Sequence, residues 1–306
     1  MPLHPLAGVY AAVVTPLYPN YSIDFPAVAP LLDYLAHRGC HGALLLGTTG
    51  EGPSFAPEER LELCRTALQI RHAHPDFKLL AGTGTPSLEE TITLTKATFD
   101  LGFDGVVVLP PYYYRKATDD GLFAWFSEVL KRAVPIGGTL FGYHIPPVSG
   151  VALSVELLIR LKDAFPDKFA GLKDSSADAD HGKLLGSRLG QDQLVFCGTD
   201  SLFQGALEAG AQGCITAPAN LLSPILRQVW DAHITGDDAS AADALLQRGR
   251  AILDGYPPAP ATLKAILARL NGFPRPVVRP PLLPAPEATV EKVMAELRKA
   301  GLLATV

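Results

Sequence analysis

The stretch Ala170-Gly171-Leu172-Lys173-Asp174-Ser175-Ser176 places a lone cation at the end of a short apolar run. The run reads as a strand, and the polar residue that closes it reads as one at the mouth of a parallel barrel, where active sites of that architecture lie. In low dielectric an ammonium is disfavoured, so a lysine there is expected to lose its proton and attack a carbonyl as a Schiff-base nucleophile. The plain alternative is a strand-end lysine that reaches solvent. The rest of the chain decides between them.

Outward from this stretch, β-branched or apolar runs at 8–15, 41–46, 78–81, 105–109, 139–143, 169–172, 194–197 and 213–216 alternate with amphipathic stretches up to about residue 235. Helical patterns fall at 56–70, 88–101, 121–133, 154–164, 201–209 and 224–234. Eight strands each followed by a helix is the count of a (β/α)8 TIM barrel, whose usual size is about 250 residues. The competing doubly wound sheet normally carries a Gly-rich first turn, and no GxGxxG or GxxxxGK[ST] follows the first run. Gly82-Thr83-Gly84 reads as a tight βα turn. Further helices at 239–253, 261–270 and 287–300 are separated by the proline-rich stretches 256–260 and 274–286. The expected organisation is a barrel over 1–235 with a C-terminal helical extension over 236–306 packed on it.

Composition bounds the function. With 306 residues, 48% hydrophobic and 19% charged, the chain is expected to bury a large core, and a net charge of −5 offers no basic footprint for nucleic acid or anionic lipid. Cys40, Cys64, Cys197 and Cys214 lack CxxC spacing and sit among apolar residues, which reads as reduced core thiols in a reducing cytoplasm. The eight histidines form no HExxH or clustered His/Cys motif, so no metal site is expected from local sequence. The first residues, Met-Pro-Leu-His-Pro-Leu, lack a basic leader, and no run reaches membrane-spanning length. A cytoplasmic enzyme acting on small molecules is the expectation.

The residues that close the other strands are coherent with Lys173. The second ends in Gly47-Thr48-Thr49-Gly50-Glu51, whose consecutive N–H groups and two hydroxyls form a neutral donor set for a carboxylate, or else an ordinary glycine turn. The fifth ends in Tyr143-His144-Ile145-Pro146, where a buried phenol beside an amine can move protons to and from a substrate hydroxyl, or can simply satisfy a core hydrogen bond. Tyr112-Tyr113-Tyr114 after the fourth reads as an exposed loop or interface patch.

Taken together, the GTTGE, PYY, YxxP and GLKD motifs at these spacings, with Val13, Thr15 and Pro16 on the first strand, the Lys264 helix and the closing Ala300-Gly301-Leu302-Leu303, resemble the dihydrodipicolinate synthase/N-acetylneuraminate lyase family of pyruvate-dependent class I aldolases over nearly the whole chain. The resemblance implies that Lys173 forms the Schiff base with the C2 carbonyl of pyruvate or a longer 2-oxo acid. It implies that Thr48 and Thr49 hold the carboxylate and form a proton relay with Tyr143 as general acid/base, which Tyr113 completes, in many members from a neighbouring subunit. Gly47 belongs to the same turn, and Gly198 and Ile215 match positions that line the pocket. No cofactor beyond the lysine is implied, and a homotetramer, a dimer of dimers, is the implied assembly.

One position departs from the synthase pattern. Dihydrodipicolinate synthases carry an arginine five residues after the relay tyrosine to clamp the aldehyde's carboxylate, and here that position is Val148. Losing such a contact costs roughly several kcal/mol of binding, which disfavours lysine biosynthesis. An apolar residue there resembles lyases acting on N-acetylneuraminate or 2-oxo-3-deoxy sugar acids, although N-acetylneuraminate lyase usually shows Gly-Ser-Thr-Gly-Glu. His144 stands where many relatives have asparagine and, by strand alternation, is expected to point toward the helices; Asp174 is expected to cap the strand end. The expected activity is reversible cleavage of a 2-oxo-3-deoxy or 4-hydroxy-2-oxo acid to pyruvate and an aldehyde. The alternatives are dihydrodipicolinate synthase with an altered clamp, N-acetylneuraminate lyase, a dehydratase using the same lysine, or a non-catalytic barrel that binds a 2-oxo acid.

Overall fold

The computed structural model describes residues 3–190 and 193–303. The expectations that touch residues 1–2, 191–192 and 304–306, including the first two residues of the leader reading and the last three of the C-terminal segment, lie outside the described residues. Eight parallel strands close a barrel in chain order: β1 Gly8–Ala12, β2 Gly42–Leu45, β3 Lys78–Gly82, β4 Gly105–Val108, β5 Leu140–His144, β6 Phe169–Asp174, β7 Leu194–Cys197 and β8 Gly213–Thr216. The TIM-barrel expectation is borne out. β6 runs two residues further than its apolar run, so Lys173 lies within the strand, paired in register with Tyr143 on β5 and Phe196 on β7.

The helices are α1 Val28–His37, α2 Pro57–Ala67, α3 Leu88–Asp100, α4 Asp119–Ala133, α5 Pro146–Ser149, α6 Val155–Ala164, α7 Ala179–Leu189, α8 Phe203–Glu208, α9 Ala219–Thr235, α10 Ser240–Asp254, α11 Ala259–Asn271 and α12 Glu287–Lys299. Three of them, α1, the four-residue α5 and α7, fall outside the helical patterns read above. In α1 the apparent breaker Pro30 is the third helical residue, where an N–H has no intrahelical partner to lose. In α7 two glycines thin the apolar pattern, yet Asp178 caps the helix by accepting from the N–H groups of Asp180 and His181. Gly186 is required there by close approach, since a Cβ would lie 2.1 Å from the Ala209 carbonyl oxygen. α9 starts five residues before Pro224, the expected first residue.

The chain forms two compact units, Met1–Gly8 with Lys78–Ile215 and Val9–Phe77 with Thr216–Val306. In the first, Val106, Val108, Leu140 and Leu172 pack against Phe126, Val129 and Leu130 of α4, Leu157, Leu158 and Leu161 of α6, and Leu185 and Leu189 of α7. The alternate strand residues Phe141, Tyr143, Lys173 and Phe196 are buried outside that helix-facing cluster. In the second unit, α11 buries every residue from Pro260 to Leu267, including Lys264. The four cysteines are buried thiols outside any disulfide, and burial pushes Cys40 and Cys64 up to about 12, which removes them from thiolate chemistry.

Candidate active site

Within the first unit the strand ladder sets Tyr143 opposite Lys173 and His144 opposite Asp174. Alternation then sends the first pair to one face and the second pair to the other. Lys173 and Tyr143 are only 3% and 4% exposed, and the ammonium nitrogen Nζ donates to the Tyr143 phenol oxygen at 3.1 Å, 4.3 Å from the ring centroid. A buried amine is thus held against an oxygen that can exchange protons and against the face of its ring. The solvent-reaching reading of Lys173 does not hold.

Gly198, after β7, donates its N–H to the carbonyl of Asp174 at 2.6 Å, and a Cβ at this position would lie 2.0 Å from Ser175 Oγ. Only glycine lets the two strand ends approach this closely. Ile215 is buried in β8. Tyr113 and Val148 face solvent in this chain: Tyr113 is 76% exposed and edge-on to Tyr114, and Val148, on the short α5, is 59% exposed.

In the second unit, the turn after β2 is closed from within. Glu51 N–H donates to the Thr48 carbonyl and Gly52 N–H to the Gly47 carbonyl, while Thr15 Oγ1 donates to the Gly50 carbonyl. Thr49 is buried and Thr48 is exposed. Glu51 takes a left-handed backbone and turns its carboxylate onto Lys264 of α11, a contact between residues 213 positions apart that no local motif announces.

The other face of the β5–β6 pair carries a group that sequence reading saw only as separate residues. His144 turns toward the helices as expected, stacking on His181 of α7 with ring centroids 4.7 Å apart and accepting from the Leu153 N–H at Nδ1. Asp174 accepts from Ser176 N–H and Ser176 Oγ, the strand-end cap expected of it, and lies 3.6 Å from His181 Nδ1. Such a His/Asp/His group has the composition of a metal site. The Leu153 contact makes Nδ1 of His144 an acceptor, so the neutral ring carries its proton on Nε2 and has no lone pair there for a cation. On the surface of the second unit, Asp33, His37 and His74 also meet, with the Asp33 carboxylate accepting from His74 Nε2 at 2.7 Å.

Burial pushes His144 down to about 4, against the opposing pull of Asp174 and with a further push from His181. The unfolded chain therefore binds a proton between pH 6.5 and about 4 that the folded chain refuses. The stability this neutral ring contributes is complete above pH 6.5 and is lost as pH falls through that window, by roughly 3 kcal/mol at about 1.4 kcal/mol per pKa unit. Urea midpoints measured from pH 7 to 4 should fall steeply for the wild type. The His144→Asn variant, whose amide oxygen can still accept from Leu153, should show a flatter profile; parallel profiles would show that His144 does not carry the effect.

The profile of the Dihydrodipicolinate synthetase family matches residues 5–300. The chain belongs to that family. A protein of Chloroflexus aurantiacus named "Uncharacterized DapA-like lyase" is 37% identical over 297 residues, covering 94% of this chain and 97% of its own. The 4-hydroxy-tetrahydrodipicolinate synthase of Chelativorans sp. is 32% identical over 300 residues, covering 97% of this chain and 99% of its own. Among solved structures, the prophage protein YagE of E. coli K12, crystallised with pyruvate, superposes with a TM-score of 0.90 at 25% identity, covering 97% of this chain and 99% of that one. As a member of the dihydrodipicolinate synthetase family the chain is an enzyme of the lyase class. No helix among the described residues is long and apolar enough to cross a membrane.

Proposed function

We propose that the chain is a Schiff-base-forming, pyruvate-dependent aldolase that cleaves a 2-oxo-3-deoxy sugar acid or 4-hydroxy-2-oxo acid to pyruvate and an aldehyde. The observation that carries this reading is the buried Lys173 Nζ, 3.1 Å from Tyr143 Oη. The neutral amine attacks the C2 carbonyl, and loss of water leaves an iminium that draws electrons from C3. Tyr143, having given its O–H proton to the departing water, takes the proton of the C4 hydroxyl as the C3–C4 bond breaks, so the aldehyde departs and the bonding pair is held as an enamine. Protonation of C3 and attack of water on the iminium then release pyruvate and restore the amine. Thr48 and Thr49 are assigned to the substrate carboxylate, with Gly47 in the same turn, and Gly198 and Ile215 to the walls around the lysine. The lysine serves in place of a cofactor.

The binding of pyruvate by YagE and the lyase name of the Chloroflexus relative support the reaction type. Val148 in place of a clamping arginine supports an aldehyde half without a carboxylate at that point. A second reading, dihydrodipicolinate synthase with an altered clamp, is favoured by the name of the Chelativorans relative. The exposed Tyr113–Tyr114 pair supports a contact between copies of the chain in which Tyr113 completes a neighbour's relay, and the assembly assigned is a homotetramer in the cytoplasm.

Borohydride reduction with pyruvate, followed by peptide mass mapping, tests the shared chemistry: a pyruvyl adduct on Lys173 is expected, and its absence from folded protein at saturating pyruvate sinks both readings. A panel of 2-oxo acids scored for pyruvate release, beside condensation of pyruvate with an amino-dicarboxylic semialdehyde, then separates the two.

A further inference from the structure

Glu51 and Lys264 form an ion pair with both side chains wholly buried, an arrangement whose desolvation cost a packed apolar pair would avoid. Burial pushes the Lys264 ammonium below the usual lysine range, against the opposing pull of Glu51. The pair is nonetheless fully used as a structural joint. Lys264 Nζ donates to one Glu51 oxygen and to the Val277 carbonyl at 2.7 Å, and the backbone N–H of Arg279 donates to the other Glu51 oxygen at 2.8 Å. The Arg279 side chain continues the joint by pairing with Glu59 and donating to the Ser54 carbonyl at 2.7 Å. Glu51 itself has φ +57°, a conformation disfavoured for a side chain of this kind and held in place by these bonds. Its N–H reaches back to the Thr48 carbonyl, so the carboxylate anchor and the two threonines belong to one turn.

We propose that the buried Glu51–Lys264 pair is a positioning device through which α11 and the 277–279 segment hold the turn of Thr48 and Thr49 in the shape that receives the carboxylate of a 2-oxo acid. The assignment of that turn to the carboxylate is the reading given above, and the present inference rests on it. Neither Glu51 nor Lys264 touches the reacting atoms. Their effect is on how much substrate is needed to fill the site, with the intrinsic chemistry of Lys173 left in place.

The test measures borohydride trapping of Lys173 against pyruvate concentration in wild type, Lys264→Met and Glu51→Gln, with amide hydrogen exchange of residues 47–52 in each. Lys264→Met leaves an unpaired buried carboxylate, and the pyruvate concentration for half-maximal trapping should rise at least tenfold with near wild-type trapping at saturation. Exchange at 47–52 should accelerate by a similar factor. Glu51→Gln keeps the shape and an acceptor for Arg279 N–H, should give a smaller shift of the same sign, and carries the test should Lys264→Met not fold. Variants that melt at lower temperature while half-saturation and exchange at 47–52 stay at wild-type values would overturn the proposal, because that is the signature of a purely structural pair. Wild type that traps no pyruvate sinks the aldolase reading instead, and the exchange comparison still decides whether the pair shapes the turn.

Discussion

Replacing Lys173 by alanine is expected to lower turnover by at least about 10⁴-fold and to leave no borohydride-reducible adduct. In the proposed reaction the iminium is the electron sink, and it needs a primary amine where Nζ lies, 3.1 Å from the Tyr143 oxygen. Without it the site can bind a 2-oxo acid but cannot lower the cost of a carbanion at C3. Stability should move little. Removing a buried polar nitrogen relieves desolvation, while the Tyr143 oxygen loses one donor, a loss of about 1 kcal/mol. A thermal melt within a few degrees of wild type, together with the lost adduct, separates a missing nucleophile from a damaged fold. Residual turnover within tenfold of wild type would move the nucleophile elsewhere, and among the buried lysines that leaves Lys264, which is committed to Glu51.

Strands were legible because a parallel barrel buries both faces of each strand, so runs such as Gly105–Val108 and Leu194–Cys197 stand out as uninterrupted apolar segments. The Lys173–Tyr143 contact was legible for a related reason: a polar residue that closes a buried run has few places to go, and strand alternation puts both on one face. What sequence missed depends on distance or on compensation. Glu51 meets Lys264 across 213 residues, and no periodicity in either segment carries that pairing. His144 and Asp174 were read as neighbours of the catalytic candidates, but the partner that makes them a group, His181, sits on a helix hidden by Gly182 and Gly186. Those glycines are poor helix formers in isolation, and the Asp178 cap with the packing of Gly186 against Ala209 overrides the propensity. In α1, which no helical pattern read above covers, Pro30 stands in the first turn, where a proline costs the helix no hydrogen bond.

Tyr143→Phe should separate the formation of the Schiff base from the breaking of the carbon–carbon bond. The phenol oxygen accepts from Lys173 Nζ, which leaves the O–H proton as the one the residue can give, and the same oxygen is the one that can take a proton back. Phenylalanine keeps the ring and its face over Nζ, so the buried packing and the cation–π contact persist, and only the oxygen is lost. Pyruvate should still be trapped on Lys173, more slowly, because dehydration of the carbinolamine can draw protons from water. Cleavage of the C3–C4 bond needs a base aligned on the C4 hydroxyl as the bond breaks, a role that water fills poorly, and its rate should fall by about 10²–10⁴-fold, the usual worth of a positioned general acid or base. The loss should sit in kcat, with KM within a few-fold of wild type, since the substrate carboxylate is assigned to the Thr48–Thr49 turn and not to Tyr143. Single-turnover measurements resolve the two steps. Should trapping and cleavage slow by the same factor, Tyr143 would be acting on the amine alone, holding Nζ in place without exchanging a proton with the substrate.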